Sequence, residues 1–195
     1  MIKKPAGYDE AAAYTGESQQ LPKGKYVCVI KQVATQTSKN GNKQFVILFD
    51  VAEGEQKDFF QKLFNADKAQ NSADAKWRGV FKQNMEGKGL SWFKGIITSI
   101  ERSNNFTFQW DKENNEKTLG GIFRRRQYEA ENGNRPIVTE LWQIRSVAGL
   151  ADAEVPEDDL LPEGTVQKPA ETPSPVGDGF MNIPEGAGDE GIPFM

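Results

Sequence analysis

Cationic and aromatic residues alternate along several apolar segments of this chain, an arrangement that suits contact with a single nucleic-acid strand. Lysine and arginine neutralise phosphates, and planar rings stack on unpaired bases. In an extended chain every second side chain points to the same face, so a cation and a ring two residues apart lie together. On this basis we expect eight side chains to contact DNA: Lys31, Lys43, Phe45, Phe60, Lys62, Arg124, Arg126 and Tyr128.

Each candidate also has a purely structural interpretation, which the residue pattern leaves open. Aromatic rings mostly fill protein cores, and we expect Phe49, Phe59, Phe93 and Phe123 to lie there. The run Arg124–Arg126 fits a solvated strand edge as well as it fits phosphate contacts.

The chain contains no histidine, which removes the usual catalytic and zinc-binding chemistries. Ser-His-Asp and Cys-His nucleophiles are excluded, together with His-bearing zinc sites. Gly87–Gly89 lacks the rest of a phosphate-binding glycine loop, and Asp111, Glu113 and Glu116 lie in an Asn-rich stretch typical of a solvated loop. We therefore expect no enzyme, no cofactor and no metal. The enzymatic alternative is a nuclease that holds Mg²⁺ with carboxylates alone.

Charge is divided unevenly along the chain, whose net charge is -4. Residues 1–149 hold 23 Lys and Arg against 17 Asp and Glu, a net charge of +6. Residues 150–195 hold one Lys and 11 Asp and Glu, a net charge of -10. A basic body supplies phosphate contacts, and an acidic tail either competes with DNA for them or stays free for partners. A tail that only solubilises the chain is the alternative.

The single cysteine, Cys28, excludes an intramolecular disulfide and is in keeping with a reducing cytosol. Because it lies in an apolar run, we expect it to be a small core residue. The apolar runs are far shorter than the ~20 residues that a membrane span needs. The first residues also lack the apolar segment of a signal peptide. We therefore expect a cytoplasmic protein without a membrane partner.

Three strands are expected to begin the fold as a meander. Lys25–Val33 and Lys43–Ala52 are rich in β-branched and aromatic residues, and the pair Asn40–Gly41 between them is a strong hairpin signal. Lys57–Phe64 alternates apolar and polar residues and is predicted as the third strand.

A helical insert and a second hairpin are expected to follow. Ala73–Met85 is predicted as a short helix, and Leu119–Glu129 and Ile137–Val147 as the fourth and fifth strands. Leu90–Ser103 is the clearest helix, because its apolar residues recur at helical spacing. They form one face: Phe93, Ile96, Ile97 and Ile100.

This order of elements predicts a mainly β protein with a five-stranded OB-fold-like barrel and an inserted helical segment. We divide the chain into a flexible N-terminal arm (residues 1–20), a single-strand-binding domain (residues 21–149) and a disordered acidic tail (residues 150–195).

The last residues, an acidic pair followed by Ile-Pro-Phe, resemble the C-terminal tip of bacterial single-stranded-DNA-binding proteins. There, a mobile acidic tail recruits other DNA-processing proteins, and the carboxylate of the terminal Phe is recognised. In this chain Met195 follows the Phe. An Ile and a Phe in a segment without a core are available for a partner's pocket. The resemblance implies partner-binding roles for Asp189, Glu190, Ile192, Pro193 and Phe194.

A second resemblance is carried by six segments: Gly24–Tyr26, Ser38–Gly41, Phe49–Val51, Phe93–Asn104, Gly120–Arg124 and Tyr128–Gly133. They are similar to a family of small phage proteins from Gram-positive hosts, sometimes assigned to single-stranded-DNA binding. The similarity covers most of residues 21–148. Acidic residues are usual in that family where this chain has Arg125, Arg126 and Gln127, a difference that favours phosphate binding.

Together the resemblances imply a phage protein that binds single-stranded DNA without strong sequence preference during DNA replication or recombination. It would protect strands in the host cytoplasm and recruit replication or recombination proteins through its tail. A homo-oligomer is compatible with this role. The alternative is a protein-interaction or recombination accessory factor whose tail mimics the tip of the host protein.

Overall fold

Two long apolar strands, β1 (Gly24–Thr37) and β2 (Lys43–Val51), pair antiparallel at the centre of the sheet. Both lie where the sequence predicts strands, and Thr37 pairs with Lys43 across the predicted turn. Gly41 in this turn has φ +79°, a left-handed conformation that a residue without a side chain adopts at little cost. The hairpin prediction is therefore confirmed.

Three further strands complete the sheet: β3 (Val80–Asn84), β4 (Thr118–Gln127) and β5 (Ile137–Arg145). All strand pairs are antiparallel, and the strand order is β3-β2-β1-β4-β5. The main helix, α2 (Gly89–Asn104), lies in the chain between β3 and β4. The predictions of a mainly β fold, of five strands and of strands four and five are confirmed.

The third strand lies elsewhere than predicted, because residues 59–70 form a helix. The helix α1 (Phe59–Gln70) replaces the strand predicted at Lys57–Phe64. Its first turn is capped by a residue of β2. Asp50, which is fully buried, accepts hydrogen bonds from the backbone N–H of Phe60 (2.9 Å, Oδ1) and of Gln61 (3.0 Å, Oδ2). A carboxylate at a helix N-terminus accepts hydrogen bonds from backbone N–H groups that have no partner within the helix. Because Asp50 lies outside the segment Lys57–Phe64, the pattern of that segment alone does not reveal the helix.

The actual third strand, β3, lies inside the segment predicted as a helix, Ala73–Met85. It pairs with β2, with Phe81 opposite Ile47. Gly79, just before β3, permits this close approach, because a Cβ there would lie 2.2 Å from the carbonyl oxygen of Phe49. Trp77 closes the same junction by donating its indole N–H to that oxygen, at 3.2 Å.

One apolar core joins the sheet to both helices. The predicted face of α2 is buried as expected, and Cys28 is a fully buried core residue. Burial, together with the charge of Asp50, raises the pKa of the Cys28 thiol well above its ordinary value. The largest fully buried apolar side chains are Phe49, Phe123, Ile30, Ile47, Ile100, Leu119 and Ile122.

The computed structural model describes residues 3–4, 19–70, 75–110 and 114–162. The chain divides into one unit over residues 1–161 and a second over residues 162–195. The first unit extends beyond the boundary predicted at residue 149, because Leu150 is buried and Asp159 is hydrogen-bonded to β4. The predicted interaction tip, residues 189–194, and most of the predicted arm, residues 1–20, lie outside the described residues. Of the helices described, none has the length and apolar character that a membrane crossing requires.

We predict that Phe60→Ala destabilises the fold by ~3–5 kcal/mol, because it removes a ring from the core and leaves a cavity. The ring centroid of Phe60 lies 5.3 Å from that of Phe49 and 5.2 Å from that of Phe59. Urea unfolding of the variant and of the unmodified protein measures the difference. Phe64→Ala is the matched control, because Phe64 lies on the same helix but is only half-buried, and this change should lower the stability less. Unchanged stability of Phe60→Ala would contradict the core assignment.

Candidate nucleic-acid interface

Both phenylalanines predicted to stack on bases are buried, so the structure corrects these two assignments. Phe45 is 4% exposed, and its ring centroid lies 5.1 Å from that of Phe93. Phe60 is 9% exposed. The strand pattern placed Phe60 beside a cation, but in a helix successive residues turn by 100° and Phe60 faces β2. Phe45 is covered because α2 packs on its face of the sheet.

The predicted arginine contacts are already bonded to carboxylates of the same chain. Glu140 lies opposite Arg124 in the β4–β5 register and accepts a hydrogen bond from its Nε at 2.9 Å. The same carboxylate lies 3.4 Å from Nε of Arg126. Arg124 also pairs with Asp159, at 3.3 Å. The side chains of Arg124 and Arg126 are half-buried, and their carboxylate partners hold them along β4.

Arg125 points to the opposite face of β4 and takes part in a second charge cluster. The carboxylate of Asp158 lies 2.6 Å from Nζ of Lys23 and 3.4 Å from a terminal nitrogen of Arg125. The hydrogen bond from Lys23, helped by the charges of Lys23 and Arg125, lowers the pKa of Asp158 below its ordinary value. Each arginine of the run is therefore paired with an acidic side chain.

Two of these carboxylates belong to residues 157–161, which we call the acidic segment. Its backbone adds to the edge of β4. Asp159 donates its N–H to the carbonyl of Arg125 (2.9 Å), and Gln127 donates its N–H to the carbonyl of Asp159 (2.8 Å). This edge of β4 is accessible because β1 begins at Gly24, opposite Phe123. The acidic segment thus pairs with β4 beyond the point where the pairing of β4 with β1 ends.

The remaining predicted contacts are not gathered in one place. Lys31, Lys43 and Lys62 are exposed, whereas Tyr128 is half-buried. Lys31 lies at a bulge of β1, six residues before Thr37, which pairs with Lys43. At about 3.3 Å per residue this separates the two lysines by roughly 20 Å. Lys62 lies on α1, where its Nζ donates to a backbone carbonyl at 2.7 Å.

Sequence reasoning missed three large exposed apolar side chains, two at the start of α2 and one in the loop that follows this helix. Leu90, Trp92 and Trp110 are 55%, 65% and 66% exposed, and we call them the tryptophan surface. The two indoles flank Phe93, since Trp92 precedes it and the ring of Trp110 contacts it at 6.1 Å between centroids. The helical pattern contained the signal, because Trp92 lies outside the face that it assigns to the core.

The backbone that carries Trp110 is fixed by two polar side chains. Glu101 on α2 accepts a hydrogen bond from the N–H of Phe108, at 2.9 Å. Asn114, which is 1% exposed, accepts from the N–H of Gln109 (3.0 Å) and donates to the carbonyl of the same residue (2.7 Å). The Trp110 ring also contacts Phe108, at 5.2 Å between centroids. Trp110 is therefore an exposed ring on a well-bonded support.

Exposed cations lie beside the tryptophan surface. Lys88, the residue before α2, and Lys94 on α2 are exposed and lie close to Trp92 in the chain. Lys43, one of the predicted contacts, is linked to the same region, because its carbonyl accepts a hydrogen bond from the N–H of Met85 at 3.0 Å. One predicted cation therefore lies beside the loop that leads from β3 into α2, the helix that carries Trp92. Within the described ranges no group of three or more possible metal ligands occurs.

We predict that the acidic segment leaves β4 in acid. The folded-state pKa of Asp158 lies below the unfolded value, so its ion pairs stabilise docking fully above the ordinary carboxyl pKa of ~3.9. That stabilisation is lost as the pH falls through the lowered value. Backbone NMR order of Asp159 should therefore persist to about pH 4 and decrease below it. Asp158→Asn should already be less ordered at neutral pH, and order that is unchanged down to about pH 2 would contradict the ionic model.

Comparisons with known proteins do not assign the chain to a family. No protein-family model matches it, and no curated protein gives a significant match.

Proposed function

We propose that this protein binds single-stranded DNA without strong sequence preference, in phage DNA replication or recombination, with the tryptophan surface as its stacking platform. The observation that carries the proposal is the exposure of Trp92 and Trp110, about two thirds of each side chain, beside exposed lysines. Indole rings stack on any base, and lysines contact phosphates without reading sequence. These are the requirements of nonspecific strand binding.

The support of Trp110 favours a binding role over incidental exposure. Single exposed apolar residues are common, but one exposed indole next to Phe93 in the chain and a second in contact with its ring favour an interaction site. The bonds from Glu101 and Asn114 hold the backbone on either side of Gln109 before any ligand arrives. Less ordering entropy is then lost on binding.

The strand order supports an OB-fold-like barrel as the finer description of the fold. β1 pairs with both β2 and β4, and α2 follows β3, which is the arrangement of that five-stranded Greek-key barrel. Closure would require contact between β3 and β5, the two ends of the observed strand order. OB-folds bind strands across their second and third strands, and Lys43 lies at the start of β2.

The charge pairs revise the predicted role of the arginines. Arg124 and Arg126 are neutralised by Glu140 and Asp159, so we assign the first phosphate contacts to lysines near the tryptophan surface. The acidic segment then acts as an internal competitor for phosphate at β4. This agrees with a body that is basic overall and a C-terminal part that is acidic.

We further propose that the tail recruits replication or recombination proteins through Asp189, Glu190, Ile192, Pro193 and Phe194. The proposal rests on the resemblance of the tip, since these residues lie outside the described structure. An accessory factor that binds proteins only is the second candidate. The apolar character of the tryptophan surface favours it, because such surfaces also dock proteins.

We predict that Trp92→Ala and Trp110→Ala each weaken binding to oligo-dT by ~1–3 kcal/mol, because each removes a stacking ring. Trp142→Ala is the matched control, since Trp142 is also exposed, at 43%, but lies on β5. Fluorescence anisotropy at several salt concentrations measures the affinity. The log-log slope should be about 0.7 per phosphate neutralised.

Thermal unfolding separates lost contacts from lost structure in these variants. Trp92→Ala and Trp110→Ala should melt close to the unmodified protein, because both rings are mainly in solvent. Trp→Phe at either position should keep most of the affinity, since a phenyl ring still stacks. Equal affinity of all three alanine variants, or a preference for duplex DNA, would contradict the stacking platform.

We predict that removing residues 163–195 leaves the described fold intact, because these residues lie beyond the unit that ends at Leu161. Pull-down of host replication proteins should fail with this truncation and with Phe194→Ala, since the ring is the expected anchor in a partner's pocket. Equal recovery of the host proteins by the full chain, the truncated chain and Phe194→Ala would show that the tail does not recruit host proteins. Tail-dependent recovery without oligo-dT binding would instead support the accessory factor.

A further inference from the structure

Within the part of the chain that the structure describes, the outer edge of β5 has no pairing strand, and two of its backbone groups are bonded to a side chain. Gln20 donates from Nε2 to the carbonyl oxygen of Ile137, at 2.7 Å. The N–H of Thr139 donates to Oε1 of the same side chain, at 2.9 Å. One primary amide therefore satisfies an acceptor and a donor of a strand edge, groups that otherwise serve as a template for another chain.

On β4 the same pattern of hydrogen bonds is made by the backbone of Asp159 and not by a side chain. The parallel bridge of Asp159 opposite Arg126 uses the carbonyl of the residue before Arg126 and the N–H of the residue after it. The amide of Gln20 uses the carbonyl before Val138 and the N–H after it. Gln20 thus stands where one residue of a parallel strand would lie against β5.

An open groove of about 610 Å³ runs along this edge. It combines strand backbone, an apolar wall from the buried Leu21 and two cations, Lys23 and Arg125. These two cations already hold a carboxylate, that of Asp158. The groove therefore offers main-chain hydrogen bonds together with two cations that bind a carboxylate, as their pairing with Asp158 shows.

We propose that this groove binds an extended acidic peptide of a partner protein, which adds to β5 as a parallel strand at Ile137–Thr139. The peptide backbone replaces the amide of Gln20, and an acidic side chain pairs with Lys23 and Arg125, which line the groove, in competition with Asp158. This mode is β-strand addition, in which main-chain bonds give affinity and side-chain pockets give specificity. It is independent of the proposed DNA binding.

Register fixes where the acidic residue belongs. The peptide residue that replaces the Gln20 amide faces Val138, so its neighbours point to the other face of the sheet. That face carries Thr139 and Arg125, which lie directly opposite each other in the β4–β5 register. An acidic residue is therefore expected next to the bonded residue. A nucleic-acid backbone fits less well, because a phosphodiester has no donor for the carbonyl of Ile137.

The test is fluorescence anisotropy of the full chain with a labelled peptide, Thr-Val-Asp-Val-Asp-Val, and its Asn-substituted analogue. The Asp peptide should bind at least about fivefold more tightly than the analogue, because charge-assisted bonds are lost in the latter. Gln20→Ala should tighten binding by about fivefold, since the competing amide is gone. Arg125→Ala should weaken it, and Lys39→Ala, in the exposed β1–β2 turn, should not change it.

The proposal fails if Gln20→Ala binds the peptide with unchanged affinity, or if a peptide N-methylated at its central residues binds as tightly as the unmodified one. It also fails if oligo-dT displaces the peptide and Arg125→Ala weakens the binding of both ligands equally. Thermal unfolding checks that the variants fold. If Gln20→Ala does not fold, Asp158→Asn serves instead, because it should bind the Asp peptide more tightly and the Asn analogue as before. Equal binding of both peptides to Asp158→Asn would also reject the acidic-peptide site.

Discussion

The buried carboxylate of Asp50 determines how the first half of the chain folds. Its two oxygens accept three backbone N–H groups, from Val51, Phe60 and Gln61. A charge without water is tolerated only with such partners. These bonds tie the start of α1 to the end of β2, which directs Phe60 into the core. With α1 on this side, the edge of β2 is left for β3, which pairs with it.

The limits of prediction from sequence follow the distance over which each signal acts. Leu90–Ser103 was predicted correctly because its buried face is encoded within the helix itself, at Phe93, Ile96, Ile97 and Ile100. The strand prediction for Lys57–Phe64 was wrong, because over so short a stretch its apolar residues fit the spacing of a helix as well as that of a strand. The residue that caps the helix, Asp50, belongs to another element. For the same reason the buried state of Phe45 depends on α2, which no local pattern around Phe45 reveals.

The arginine run shows why charge counts alone mislead about a binding surface. The excess of cations in residues 1–149 is real, but the arginines of β4 are compensated by Glu140, Asp158 and Asp159. Two of these acids lie beyond the boundary that composition suggested. By contrast, Lys39 in the β1–β2 turn and Lys94 on α2 are exposed. The sequence gives the count of charges, whereas only the fold shows which of them are accessible to a polyanion.

The burial of Cys28 has a practical consequence for chemical labelling of the protein. Its thiol is enclosed in the core and its raised pKa keeps it protonated, and thiolate is the form that reacts with alkylating reagents, peroxides and disulfides. The folded protein is therefore inert toward thiol chemistry as it stands. A cysteine introduced on the surface would be the single reactive thiol of the described domain, so a dye or cross-linker could be attached there without removing Cys28 and without disturbing the packing around it.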